Sequence, residues 1–240
     1  MKKFWEKNEL LCAILSIVIY VVVMSTVRGN YGDESLVSVI ALLLMAGLLT
    51  AFIFLNGLKD YYGFKKPSAV KACLYFIPFV LLCTVNFWFG VRAHFGMPGQ
   101  MWAVITLALA GYVEEVIFRG LLYRAVEKKN LARAIIISAV TFGAGHIVNL
   151  LTGHGSPETV LQLIYAVAIG FSFALVLWRG GSLLPCIITH CIINIGSVIS
   201  NNALAESTAR VYDYCSTAFI VLVAGLYSLY LWKGKPFRKE

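Results

Sequence analysis

Eight apolar runs, each close to the roughly 20 residues that an α-helix needs to cross the hydrocarbon core of a bilayer, constrain this chain more than anything else in it. They extend over Leu10 to Val27, Leu36 to Leu58, Ala72 to Val91, Trp102 to Leu122, Leu131 to Leu151, Val160 to Trp178, Leu183 to Ile199 and Cys215 to Trp232. Of the 240 residues 60% are hydrophobic and only 13% charged, and the mean hydropathy of +0.80 lies far above that of soluble domains. The expected fold is all-α, a polytopic transmembrane bundle of about eight spans forming one membrane-embedded domain over residues 1–240. The first run follows a basic stretch as a signal peptide does, but its length and the lack of a small-x-small cleavage site point to a retained span.

The cations orient the bundle. With both termini in the cytoplasm, that side receives Lys2, Lys3 and Lys7; Lys59, Lys65, Lys66 and Lys71; Arg124, Lys128, Lys129 and Arg133; Arg179; and Lys233, Lys235, Arg238 and Lys239. The other side holds only Arg28, Arg92 and Arg210, and Arg119 lies within a span. This is a strong positive-inside pattern. The net charge of +8 is therefore juxtamembrane and faces anionic lipid, and no nucleic-acid partner is expected. Trp5, Trp88, Trp102, Trp178 and Trp232 all fall near span ends, as an interfacial aromatic belt requires. An integral protein of a bacterial plasma membrane is expected.

The six cysteines, Cys12, Cys73, Cys83, Cys186, Cys191 and Cys215, show no C-x-x-C spacing, so they read as small apolar packers. Short glycine- and proline-bearing loops, such as Gly63 to Pro67 and Gly153 to Pro157, punctuate the spans without any linker or repeat. Polar groups are unevenly placed. Spans one, two, three and eight read as scaffold, whereas spans four, five and seven carry strongly polar side chains where an ionisable group is costly and marks a functional site.

In span four, E-E-V-I-F-R puts Glu115 and Arg119 at i, i+4, where a helical ion pair forms readily. Glu114 lies 100° around the helix and is left to face the bundle interior. The alternative is a purely structural network of all three. In span five Phe142 and His146 share a face one turn apart, with Asn149 beyond them, and His146 reads equally as an interhelical hydrogen-bond partner or a proton-transfer group. In span seven His190 and Asn194 repeat the i, i+4 logic, an imidazole and a carboxamide on one face.

These residues resemble the CPBP family of intramembrane proteases, which includes the type II CAAX prenyl endopeptidases and bacterial Abi-like proteins linked to bacteriocin immunity and peptide processing. The family's motifs E-E-x-x-x-R, F-x-x-x-H and H-x-x-x-N/D stand here as Glu114, Glu115 and Arg119, Phe142 and His146, and His190 and Asn194. The resemblance covers about Trp102 to Ser200, so residues 102–200 are the expected catalytic core. It implies an intramembrane endopeptidase whose peptide or membrane-protein substrates are prenylated in one branch and unprenylated in others. No G-x-S-x-G, H-E-x-x-H or G-x-G-D is present to support a rhomboid-like, site-2-like or presenilin-like enzyme.

The mechanism expected is metal-free. Glu114 and His146 bind and deprotonate a water, His190 and Asn194 donate to the developing oxyanion, and Glu115, Arg119 and Phe142 support them. Substrate is expected from the cytoplasmic side or laterally from lipid, into a cavity open to the cytoplasm. The rival mechanism holds a zinc ion with Glu114, His146 and His190. A proton-coupled transporter would also line a cavity with Glu, His and Asn, but no repeated halves are visible. A non-catalytic immunity or interaction protein is the remaining alternative.

Overall fold

The computed structural model describes residues 2–67, 76–146, 157–201 and 206–234. Lys71, Cys73, Asn149 and Gly153, the start of the third expected span at Ala72, the end of the fifth at Leu151, and Lys235, Arg238 and Lys239 lie outside the described residues.

With no water in the bilayer core, backbone groups must be satisfied within the chain, and helices do this locally. The chain accordingly forms α1 (Lys2–Lys7), α2 (Glu9–Tyr31), α3 (Leu36–Leu55), α4 (Ile77–Thr84), α5 (Gly99–Glu115), α6 (Tyr123–Glu127), α7 (Leu131–Gly145), α8 (Pro157–Gly180), α9 (Leu184–Ile199) and α10 (Glu206–Lys233). A 3₁₀ turn over Val85–Phe87 extends α4, and a π-helical segment, Val116–Leu122, joins α5 to α6. Among the described residues the only β-pairing is an isolated antiparallel bridge between Val91 and Ser200.

Among the described residues five helical stretches are long and apolar enough to cross a membrane: Glu9–Tyr31, Leu36–Leu55, Gly99–Glu127, Thr159–Gly180 and Ser207–Lys233. The other expected spans appear as shorter apolar helices, Ile77–Phe87, Leu131–Gly145 and Leu184–Ile199. The local signals that start them are plain. Ser35 caps α3 by accepting from the Ser38 backbone N–H, Asn130 caps α7 by accepting from that of Arg133, and Pro185 occupies the first turn of α9, where a missing N–H costs nothing. Outward faces are apolar, with Leu44, Leu48, Leu55, Val22 and Leu222 all strongly exposed. In water such a surface would aggregate; against lipid tails it is the expected exterior.

Two close helix approaches position the site. A Cβ on Gly111 of α5 would lie 3.1 Å from the Cys191 backbone nitrogen and 3.2 Å from the His190 carbonyl carbon. Glycine there lets α9 come against α5, and His190 comes with it. On the other side a Cβ on Gly170 of α8 would stand 3.0 Å from the Ala139 Cα of α7, the small-residue contact by which membrane helices pack. Between these pairs runs an aromatic core in which Phe79 meets both Phe173 and Tyr227 edge-on, and Phe118 meets Phe142 in the same way.

Candidate active site

The α5 helix loosens at its most polar point. From Val116 to Leu122 the hydrogen bonding is π-helical, and all seven residues are buried. Such widened turns are rare and frequent at functional sites. Glu115 closes the α-helical part and Arg119 lies in the widened part, and both are completely buried. Their ion pair is direct, with Arg119 Nη1 donating to Glu115 Oε1 at 2.8 Å. The guanidinium also lies 4.1 Å from the Phe142 ring centre and 5.3 Å from that of Phe173, so two aromatic faces share its charge.

His190 reaches across from α9. Its Nδ1 lies 2.8 Å from the same Glu115 Oε1, and its Nε2 lies 3.4 Å from Glu114 Oε2. Glu115 thus orients the imidazole and pairs with Arg119 at once. Phe142 stacks edge-on against His190, with ring centres 5.4 Å apart, and against His146 at 5.7 Å. His146 caps α7 and lines the same space as Asn194.

Two adjoining cavities, of about 330 and about 570 Å³, meet at this cluster. His190 lines the first and Glu114 the second, while Phe142, His146, Gln162, Asn194 and Ser197 line both. The sequence-derived groups are thus divided between two adjoining cavities, His190 lining one, Glu114 the other, and His146 and Asn194 both, with Glu115 and Arg119 fully buried beside them.

Three expectations need correction. Span one is not mere scaffold, because the Tyr20 hydroxyl of α2 donates a short hydrogen bond to Glu114 Oε1. Asn194, expected to aim its carboxamide at the same point as His190, spends one Nδ2 proton on the Leu107 carbonyl at 3.2 Å; the close packing of α9 on α5 puts that carbonyl within reach. Among the described residues the cavity walls do not reach the cationic end, where the opening was expected. They run to Arg28, Gly29 and Asp33 at the far end of α2, to Asn86 after α4 and to Ser197 near the end of α9, whereas Lys65, Lys128 and Arg179 belong to the other end, where Ser182 donates to the Lys65 carbonyl and Lys128 pairs with Glu9. The buried π segment lies between.

At the mouth Arg28 Nε stands 2.8 Å from Asp33 Oδ1, each side chain about one-third exposed, at 33% and 35%. Burial raises the Asp33 carboxyl above the usual carboxylate range, with Arg28 opposing it. Tyr20, Arg28 and Asp33 are absent from the motifs that revealed the rest. Tyr20 is a single aromatic in an apolar run, and nothing in its spacing distinguishes it from a packing residue.

The zinc alternative can be tested on the donor geometry. Two ligands bonded to one tetrahedral zinc at about 2.0–2.2 Å stand roughly 3.3–3.5 Å apart, and the 3.4 Å between His190 Nε2 and Glu114 Oε2 matches that edge. The third donor is not assembled with them: among the described residues no group of three His, Cys, Asp or Glu side chains is arranged to hold a metal ion. The residues fit a pair, not a triad, and no step is derived through a metal.

Residues 96–196 match the family model described as Type II CAAX prenyl endopeptidase Rce1-like. That interval contains all three motifs and excludes α2 with Tyr20, Arg28 and the residues of the Asp33 turn. No curated protein and no solved structure matches the chain.

Proposed function

We propose that this integral membrane protein, a member of the Rce1-like type II CAAX prenyl endopeptidases through residues 96–196, is an intramembrane endopeptidase that hydrolyses a peptide bond with water activated by Glu114 and His146. The observation that carries this reading is the setting of Glu114: a carboxylate within an apolar bundle, held by Tyr20 on one oxygen, faced by His190 on the other and lining a cavity. Pure scaffolding would not leave an acid at such a void, where its burial costs several kcal/mol.

In the proposed reaction the Glu114 carboxylate takes a proton from water while His146 holds that water in line. The hydroxide attacks the scissile carbonyl carbon, and the carbonyl electron pair moves onto oxygen. His190 through Nε2–H and Asn194 through the amide proton not spent on Leu107 donate to that oxyanion. Collapse of the tetrahedral centre breaks the C–N bond as the proton held by Glu114 passes to the leaving amine. For this His190 must carry both protons. Nδ1 and Nε2 each face a carboxylate. With an imidazolium present, Glu114 and Glu115 balance Arg119 and His190, and the buried quartet is neutral.

Purified protein in lipid, presented with a library of fluorogenic peptides, tests the reading. Glu114→Gln should lower turnover by about 10²–10⁴-fold, the share a positioned general base contributes, with the fold unchanged by thermal unfolding. Full activity in Glu114→Gln would falsify the assignment.

A further inference from the structure

We propose that the catalytic well takes its substrate from the non-cytoplasmic face of the membrane, as an unfolded peptide stretch of an exported or membrane-anchored chain; this rests on the protease reading above. Three observations on different parts of the molecule point the same way.

First, among the described residues the walls of the well reach one end of the bundle only. Arg28, Gly29, Asp33, Asn86, Ser197 and Asp213 line its walls. All lie where helices finish or start at the end opposite the Lys128–Glu9 pair, and Ser197 is exposed there.

Second, the other end is shut. Below Glu114 come the fully buried Glu115 and Arg119, then Phe118, Leu121, Leu122 and Tyr123, all buried. Beyond them Trp5 packs edge-on against Phe52, Tyr61 and Tyr62. Among the described residues these layers leave no path for an extended chain.

Third, the cations mark the shut end as cytoplasmic. Lys59, Lys65, Lys66, Arg124, Lys128, Lys129, Arg133, Arg179 and Lys233 belong to it, while the mouth end has Arg28, Arg92 and Arg210. Lys and Arg are retained on the cytoplasmic side of short loops, so the mouth faces outward.

Depth narrows the substrate class further. Tyr20, which touches Glu114, precedes Arg28 by eight positions in α2, about 12 Å at 1.5 Å per residue. An extended peptide at about 3.3 Å per residue must therefore thread roughly four residues past the Arg28–Asp33 pair before its scissile bond meets Glu114. A folded domain edge cannot do this. A flexible terminus or a stalk beside a membrane anchor can.

The test separates sidedness from chemistry. In a chain whose six cysteines are replaced by alanine, single cysteines are introduced as Asn30→Cys at the mouth end and Lys129→Cys at the shut end, both positions being exposed. Intact cells are treated with a membrane-impermeant maleimide, then permeabilised and treated again. Asn30→Cys should label in intact cells and Lys129→Cys only after permeabilisation. The reverse pattern overturns the proposal. If the cysteine-free chain does not accumulate, a C-terminal fusion to a reporter active only in the cytoplasm decides it, activity supporting the proposal and inactivity refuting it. The protease reading fails separately, through an active Glu114→Gln variant in a correctly oriented protein.

Discussion

Glu115 is the residue on which folding and chemistry meet, and Glu115→Gln separates them. The substitution keeps the shape and the oxygen that accepts from His190 Nδ1 at 2.8 Å, but it removes the carboxylate with which Arg119 forms its ion pair, in a site where both partners are fully buried. Breaking such a pair costs about 3–5 kcal/mol, because one buried charge is left uncompensated. The aromatic faces of Phe142 and Phe173 remain over the guanidinium and offset up to about 2 kcal/mol of that, so a net loss of about 3 kcal/mol is expected. At about 2–4 °C per kcal/mol for a chain of this size, the unfolding midpoint in detergent should fall by about 6–12 °C. The second arm is Glu115→Gln with Arg119→Met. Arg119 Nε and Nη2 and Glu115 Oε2 have no protein hydrogen-bond partner, so removing both charges should recover most of the loss, as apolar replacements of buried pairs do. A single variant within about 1 kcal/mol of wild type, or a double variant no more stable than the single, would refute the reasoning.

Tyr20→Phe removes one hydrogen bond to a carboxylate, about 1.5–3 kcal/mol, and should lower kcat/KM by roughly 10- to 100-fold with little change in unfolding midpoint; unchanged kinetics would remove Tyr20 from the site. Gly111→Ala sets a methyl group against the Cys191 and His190 backbone and should cost about 1–3 kcal/mol as overpacking does, with activity falling further than stability because His190 is displaced; a fully active Gly111→Ala protein contradicts the role given to that approach. Chelation followed by metal analysis addresses the remaining mechanism: activity should survive strong chelators, whereas stoichiometric zinc lost together with activity in His190→Ala would replace the water-only scheme.

The parts legible in the sequence are those set by helical geometry alone. The i, i+4 spacing of Glu115 and Arg119 yields their contact even though the helix widens between them, and run length and composition give the helices and their apolar exteriors. What needs tertiary register was not legible. That His190 leans on Glu115 rather than standing free depends on Gly111 admitting α9, and that Asn194 spends a proton on Leu107 depends on the same approach. The π segment has no composition of its own: Val116–Leu122 reads as ordinary helix. Nor is the end that the cavity walls reach legible: motif residues fix a depth, whereas which end of a bundle is open depends on where helices splay and where aromatics such as Trp5 and Phe118 fill the gap.

The pairing of two adjacent acids follows from what a membrane interior tolerates. One carboxylate that must alternate between charged and protonated forms changes the local charge by one unit each cycle, and in a dry site that change is expensive. Here the change is spread. Glu115 and Arg119 stay fixed as a buried pair, His190 bridges the two acids, and Tyr20 donates to Glu114 from a helix outside the Rce1-like match. In the proposed cycle Glu114 gains a proton as the substrate oxygen gains the negative charge, so the quartet loses one negative charge, the oxyanion facing His190 carries it, and the total charge of the site is unchanged. On this proposal Tyr20 and Glu115 do different work on the same cycle: Glu115→Gln takes the carboxylate from beside His190 Nδ1 and weakens oxyanion binding, whereas Tyr20→Phe leaves Glu114 poorly placed. Combined, their effects on kcat/KM should fall short of the sum of the two in free energy, because residues within one network do not act independently.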